Sequence, residues 1–151
     1  MYKKILVPLD GSSLAEEALA HVENISQKYG SEVVLFEAAQ PIMAGDDPSG
    51  FSTSEIYGRL LDESIEAAKV YIEKTAASLR EKGVNVVKQE VKVGNAAELI
   101  IDEAEAVGAD LIIMASHGRS GIKRWFFGSV AERVLRHSTA PILLVKCTGT
   151  C

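Results

Sequence analysis

Cysteine is scarce in this chain: its 151 residues hold two, Cys147 and Cys151, both at the C-terminal end. No disulfide framework can brace the fold, which excludes a small stapled scaffold. The spacing would suit a shared metal or an intermolecular disulfide, but two thiols on a frayed tail is the simpler reading. Long apolar runs are lacking too, since nothing approaches the roughly 18 to 20 residues needed to cross a bilayer. The chain passes from Met1-Tyr2-Lys3-Lys4 directly into the short run Ile5-Leu6-Val7, and the expectation is a cytoplasmic protein. Positive charge is in deficit: 16 Lys and Arg against 21 Asp and Glu give a net charge of -5. Global attraction to nucleic acid or to an anionic membrane is therefore not expected. Two phosphate-binding signatures are also missing, the Walker sequence ending in Gly-Lys-Ser or Gly-Lys-Thr and a Gly-x-Gly-x-x-Gly after the first strand.

What is present is the composition of a folded soluble protein, 47% apolar and 25% charged. The length predicts one domain over residues 1–151. Short β-branched runs alternate with longer segments of helical period, the sequence form of a βαβ protein. Strands are predicted at Lys4 to Pro8, Glu32 to Ala38, Asn85 to Lys92, Asp110 to Ala115 and Ile142 to Lys146. The unbroken runs Ile112 to Met114 and Ile142 to Val145 suit interior or interface strands covered on both faces. Val87, Gln89, Val91 and Val93 alternate with Lys88, Glu90 and Lys92, which predicts an edge strand with one solvated face.

Four helices are predicted between the strands. The first is expected to start at Ser13, with Glu16 completing a capping box, to bury Ala15, Ala18, Leu19, Val22 and Ile25, and to end near Gly30. The second runs from about Thr53 to Lys82, with Leu61, Ile65, Ala68, Ile72, Ala76 and Leu79 as its stripe and Gly83 closing it. The third opens at Asn95, buries Ile100, Ile101 and Ala104, and stops at Gly108. The fourth opens at Ser129 and buries Val130, Val134 and Leu135. Two segments lack regular period: Gln40 to Ser52, a candidate lid rich in Pro, Gly, Asp and Ser, and Ser116 to Phe127.

In an open parallel sheet, ligands bind beyond the carboxyl ends of the strands where the strand order reverses. With the first strand central, that crevice falls between Pro8 to Ser13 and Ala115 to Gly121. Helix-start amides at Gly128, Ser129 and Val130 can hold phosphate oxygens, with the Ser129 hydroxyl adding a bond. The same residues also read as an ordinary loop end and cap. From His117 to Lys146 the basic residues Arg119, Lys123, Arg124, Arg133, Arg136 and Lys146 face the single acid Glu132, a local excess that favours an anion. Trp125, Phe126 and Phe127 are expected to pack on the sheet. Asp10 can bind a metal through a nucleotide, contact a ligand itself or cap the neighbouring turn. Catalytic constellations are weak: His117 alone among the histidines falls in the crevice, and no carboxylate is spaced to orient it as a base.

These residues together resemble the universal stress protein family. The resemblance rests on Ala115-Ser116-His117-Gly118, nine residues, Gly128-Ser129, then Val130 to Leu135 and the strand Pro141 to Val145, with Lys4 to Ser12 at the start and Gly94 before the third helix. It implies an α/β fold with an open five-stranded parallel sheet in order 3-2-1-4-5 and helices on both faces. It also implies a homodimer joined through strand five (Ile142 to Val145). In the branch marked by Gly-x-x-Gly-x9-Gly and Ser or Thr, it implies ATP or AMP in the crevice, with Mg or Mn bound through the phosphates. Ala115 stands where the first Gly of that pattern is expected; Gly118, Gly128 and Ser129 match. By the same resemblance Asp10 and the backbone of Ala38 meet the adenine end and Gly94 lies near the ribose; Pro8, Ala115, His117, Gly118, Arg119, Gly128, Ser129 and Val130 are also expected in the nucleotide site. Glu37 departs from the histidine often found before the Ala38 position. The function implied is a nucleotide-dependent stress-response regulator. The competing readings are an interaction module of the same fold that binds no nucleotide, and a slow ATP hydrolase or phosphotransferase.

Overall fold

Nine elements follow one another in the computed structural model, which describes residues 1–40, 53–116 and 128–146. They are β1 (Lys4–Leu9), α1 (Ser13–Tyr29), β2 (Glu32–Ala39), α2 (Thr53–Glu81), β3 (Asn85–Val93), α3 (Ala96–Val107), β4 (Leu111–Ala115), α4 (Ser129–His137) and β5 (Ile142–Val145). All strand pairings are parallel, and the order is β3-β2-β1-β4-β5. The order reverses at β1, which pairs with β2 on one side and with β4 on the other.

Successive strand residues point to opposite faces, and both faces are roofed by helices. Ile5, Val7, Val33, Leu35 and Ile113 pack under α1 and α2, together with Val22, Ile72, Ala76 and Leu79. Leu6, Val34, Phe36, Ile112 and Met114 pack on the other side with Ile100 and Ala104 of α3 and with Ala131 and Val134 of α4. Double coverage is why β1, β2 and β4 carry apolar residues without alternation.

Several boundaries differ from expectation for local reasons. Ser12, not Ser13, caps α1: its backbone is extended and its hydroxyl accepts from the Ala15 amide at 3.2 Å. β4 starts one residue late because the Asp110 carboxylate is occupied with the amides of Lys3 and Lys4, at 2.8 and 3.1 Å. In α2 the fully buried stripe begins only at Ala68, while Leu61 and Ile65 are half-buried. In α4 the buried residues are Ala131 and Val134; Leu135 is 39% exposed and Val130 is half-buried.

The edge strand departs most from its pattern. The β2–β3 register slips between Val33 and Val34, which pair with Val86 and Lys88. Val87 is the bulged residue and stays exposed, whereas Val86 takes the core position. The charged face of β3 is solvated only in part: Lys88 and Lys92, themselves partly exposed, reach the Glu103 carboxylate of α3 at 2.8 and 2.6 Å, and Glu103 is fully buried. The segments 41–52 and 117–127, the trio Trp125 to Phe127, and Cys147 and Cys151 lie outside the described residues.

Candidate functional site

At the point of strand reversal a cavity of about 310 Å³ opens beyond the carboxyl ends of β1 and β4. Pro8 and Asp10 from the end of β1, Ala38 from β2, Ala115 from β4, and Gly128, Ser129 and Val130 from the start of α4 all line it. Seven residues singled out from sequence therefore meet on one wall system. Phe36, Gln40, Ala96, Ile100, Met114 and Ser116 are among the other residues that line it, with Leu9, Ala15 and Ala131; of these, Ala96 and Ile100 come from α3, which roofs this face of the sheet. Motif spacing does not mark them, although Gln40 and Ser116 follow directly from the rule that strand ends carry the site. His117, Gly118 and Arg119 lie outside the described residues.

Each element positions its share for a physical reason. Gly11 has φ 76, so the chain turns sharply after Asp10 in a conformation that favours glycine. The Asp10 carboxylate caps this turn, accepting from the Ser12 amide at 2.9 Å and the Ser12 hydroxyl at 2.5 Å through Oδ1. Its half-buried carboxylate remains part of the cavity wall, so the capping role and the lining role coexist.

At α4 the amide of Gly128 donates to the Ser116 carbonyl at 2.9 Å. That N–H is taken up within the fold, so Gly128 lines the cavity as expected while its amide is directed to Ser116 rather than into the cavity. Gly128 is also the N-cap residue, with no side-chain cap bond, so Ser129 is the first helical residue and not a cap. The N–H groups of Ser129, Val130 and Ala131 occupy the first-turn positions that have no intrahelical acceptor, and all three residues face the cavity. The helix dipole adds partial positive charge at this end.

Gly94 does not line the cavity but is tied to it: Gln40 Nε2 donates to the Gly94 carbonyl at 2.8 Å, and the Gln40 carbonyl accepts from Ser64 Oγ at 3.0 Å. With φ 149 any other residue at Gly94 would be strained, and its Cβ would sit 3.2 Å from Leu99 Cδ1, which would have to shift.

The local basic excess does not reach the cavity through the residues described. Arg133 pairs with Glu98 and Arg136 with Glu132, each at 2.7 Å on the exposed surface, and Lys146 is exposed outside the lining. Arg119, Lys123 and Arg124 lie outside the described residues. Glu37 faces the other side of the sheet, beneath α2, where it lines a second cavity with Tyr71. Its difference from histidine therefore does not alter the wall formed by Phe36 and Ala38. Among the described residues no group of three or more His, Cys, Asp or Glu is placed to hold a metal ion, and no helix is long and apolar enough to cross a membrane.

Comparison with known proteins agrees with this architecture. The chain is 35% identical over 156 residues to a universal stress protein of Methanocaldococcus jannaschii, MJ0577, covering 97% of this chain and 96% of that one. The solved structure of MJ0577 superposes with a TM-score of 0.85 at 36% identity, covering 99% of both chains. Two more distant structures share the fold. A universal stress protein in complex with cAMP has a TM-score of 0.68 at 19% identity, covering 96% of this chain and 97% of that one. A family member from Arabidopsis thaliana with AMP bound has a TM-score of 0.63 at 17% identity, covering 95% and 91%. The family model for universal stress proteins matches residues 1–146, and the chain belongs to the universal stress protein family.

Proposed function

We propose that this protein binds an adenine nucleotide, ATP or AMP, at the cavity between β1 and β4, and acts in the stress response through a nucleotide-dependent change of state or partner. The observation that carries this reading is the meeting of first-turn α4 amides with an apolar recess at the strand reversal. Ser129 and Val130 supply donors for phosphate oxygens. Ala38 and Met114 supply apolar surface for a purine, and Asp10 a polar anchor at its edge. The AMP-bound and cAMP-bound relatives of the same fold support the choice of adenine nucleotides. A divalent metal would enter through the phosphates, because the described wall carries one carboxylate, Asp10, already engaged by Ser12. The functional unit is proposed to be a homodimer joined through β5, in the cytoplasm.

Ligand stabilisation tests the reading. ATP at about 100 times its dissociation constant adds about 2.7 kcal/mol to the folded state, which for a chain of this size raises the melting temperature by about 5 to 10 °C. An unchanged melting temperature in millimolar ATP and AMP, with and without magnesium, would favour an interaction module that binds no nucleotide.

A further inference from the structure

Gln40 follows β2, two residues beyond Ala38, and lines the proposed nucleotide site with it. It is held from two further elements. Its side-chain Nε2 donates at 2.8 Å to the carbonyl of Gly94, in the turn between β3 and α3, and its backbone carbonyl accepts from Ser64 Oγ of α2 at 3.0 Å. An exposed glutamine ordinarily samples many rotamers; here the tie to Gly94 selects one. That bond also decides how the amide is turned. A backbone carbonyl only accepts, so the nitrogen faces Gly94 and the acceptor Oε1 is turned away from it.

Sheet order places this acceptor at one end of the site. β2 and β4 lie two strand spacings apart, about 10 Å, with β1 between them. Because α4 starts after β4, a ligand whose phosphates take the α4 amides extends its base toward β2, over Ala38 and with an edge at Gln40.

We propose that Gln40 determines base specificity, its Oε1 accepting from the exocyclic amine of a 6-aminopurine. The proposal rests on the nucleotide reading above and deepens it by naming the group that is read. Adenine carries a donor at this position, whereas guanine carries an oxygen; an oxygen facing Oε1 forfeits the bond and adds repulsion. Since the side chain is fixed before the ligand arrives, little of its freedom remains to be lost on binding.

Calorimetric titration of ATP against purine riboside 5′-triphosphate, which lacks the 6-amino group and is otherwise the same molecule, tests the assignment. Wild type is expected to bind ATP about three- to tenfold more tightly, the worth of one hydrogen bond. Gln40→Met keeps the length of the side chain and removes the acceptor, so its affinities for the two ligands should become equal through a loss for ATP alone. Unchanged affinity for the deaminated analogue reports that the variant is folded and its site intact. Equal affinity of wild type for the two ligands, the same ATP preference in Gln40→Met, or equal weakening of both in that variant overturns the role of Gln40 while the nucleotide site stands. So does a preference for ATP over 2′-deoxyATP that disappears in Gln40→Met, which would put the ribose at this residue. Failure of wild type to bind any of these triphosphates overturns the nucleotide reading and this assignment with it.

Discussion

The amide of Gly128 donates to the carbonyl of Ser116 at 2.9 Å, pinning the start of α4 to the end of β4. This one bond fixes the α4 terminus against the carboxyl end of the sheet. It leaves the amides that follow, beginning with Ser129, as the first-turn donors without an intrahelical acceptor.

The two serines at helix starts should therefore behave differently. Ser12 caps α1 through its hydroxyl, and Ser12→Ala is expected to cost about 1 kcal/mol, or about 2 to 4 °C in melting temperature. Ser129 is exposed and makes no cap bond, so Ser129→Ala should change stability by less than about 0.5 kcal/mol. Its effect should appear in calorimetric titration as about tenfold weaker ATP binding, the value of one hydrogen bond to a charged group. Wild-type ATP affinity in Ser129→Ala would remove that hydroxyl from the phosphate site.

Acid sensitivity should trace to Glu103. Burial pushes its carboxyl up, but the hydrogen bonds from Lys88 and Lys92 together outweigh this and hold it below the ordinary value of about 4.5. A lowered folded value contributes stability that is present above about pH 4.5 and lost as the pH falls through the folded value. Urea midpoints measured from neutral pH into acid should fall less steeply in Glu103→Gln than in wild type. Because the lysine side chains are 44% and 38% exposed, they can return to water on Glu103→Ala. The cost should be about 1 to 3 kcal/mol, below that of breaking a fully buried pair. Parallel acid limbs for wild type and Glu103→Gln would show that other carboxylates control acid unfolding.

β5 has one strand neighbour among those described, β4, and carries Ile142, Leu143 and Leu144 only partly buried. An apolar edge of this kind needs cover or a partner. Sedimentation should find the wild type dimeric at micromolar concentration and Leu144→Lys monomeric or aggregated. A monomeric wild type would end the proposal of a dimer through this strand.

Hydrolysis of ATP, if measured, should be far slower than the roughly 1 to 100 s⁻¹ of kinases. Asp10, the acid on the described cavity wall, holds the turn through Ser12. A positioned general base typically contributes about 10²- to 10⁴-fold, and none is assigned. Turnover should change little in His117→Ala. Several turnovers per second, lost in His117→Ala or Asp10→Ala, would make the enzyme reading the better one.

Much of this was legible in the residues because it depends on local periodicity. The alternation of strand and helix, the Asn95 cap, the glycine ends of α1 and α3, and the placing of Pro8, Asp10, Ala38, Ala115, Ser129 and Val130 at strand and helix ends all follow from period and end chemistry. The strand order came from the family resemblance, because periodicity does not say which strands become neighbours.

What the tertiary structure alone decided involves partners distant in sequence. Glu103 lies three residues after Ile100 on the buried side of α3, yet its charge makes it read as a solvent-facing residue. Only the approach of Lys88 and Lys92 from β3 makes its burial affordable. Gly128 reads as an anion donor until the Ser116 carbonyl is found to take its N–H. Glu37 reads as a neighbour of Ala38, the residue expected at the adenine end, but the strand pleat turns it to the opposite face, under α2. Local sequence sets which element a residue joins and where that element starts and stops; whether a buried charge is paired, a donor spent or a side chain turned toward one cavity or another depends on which elements the fold brings alongside.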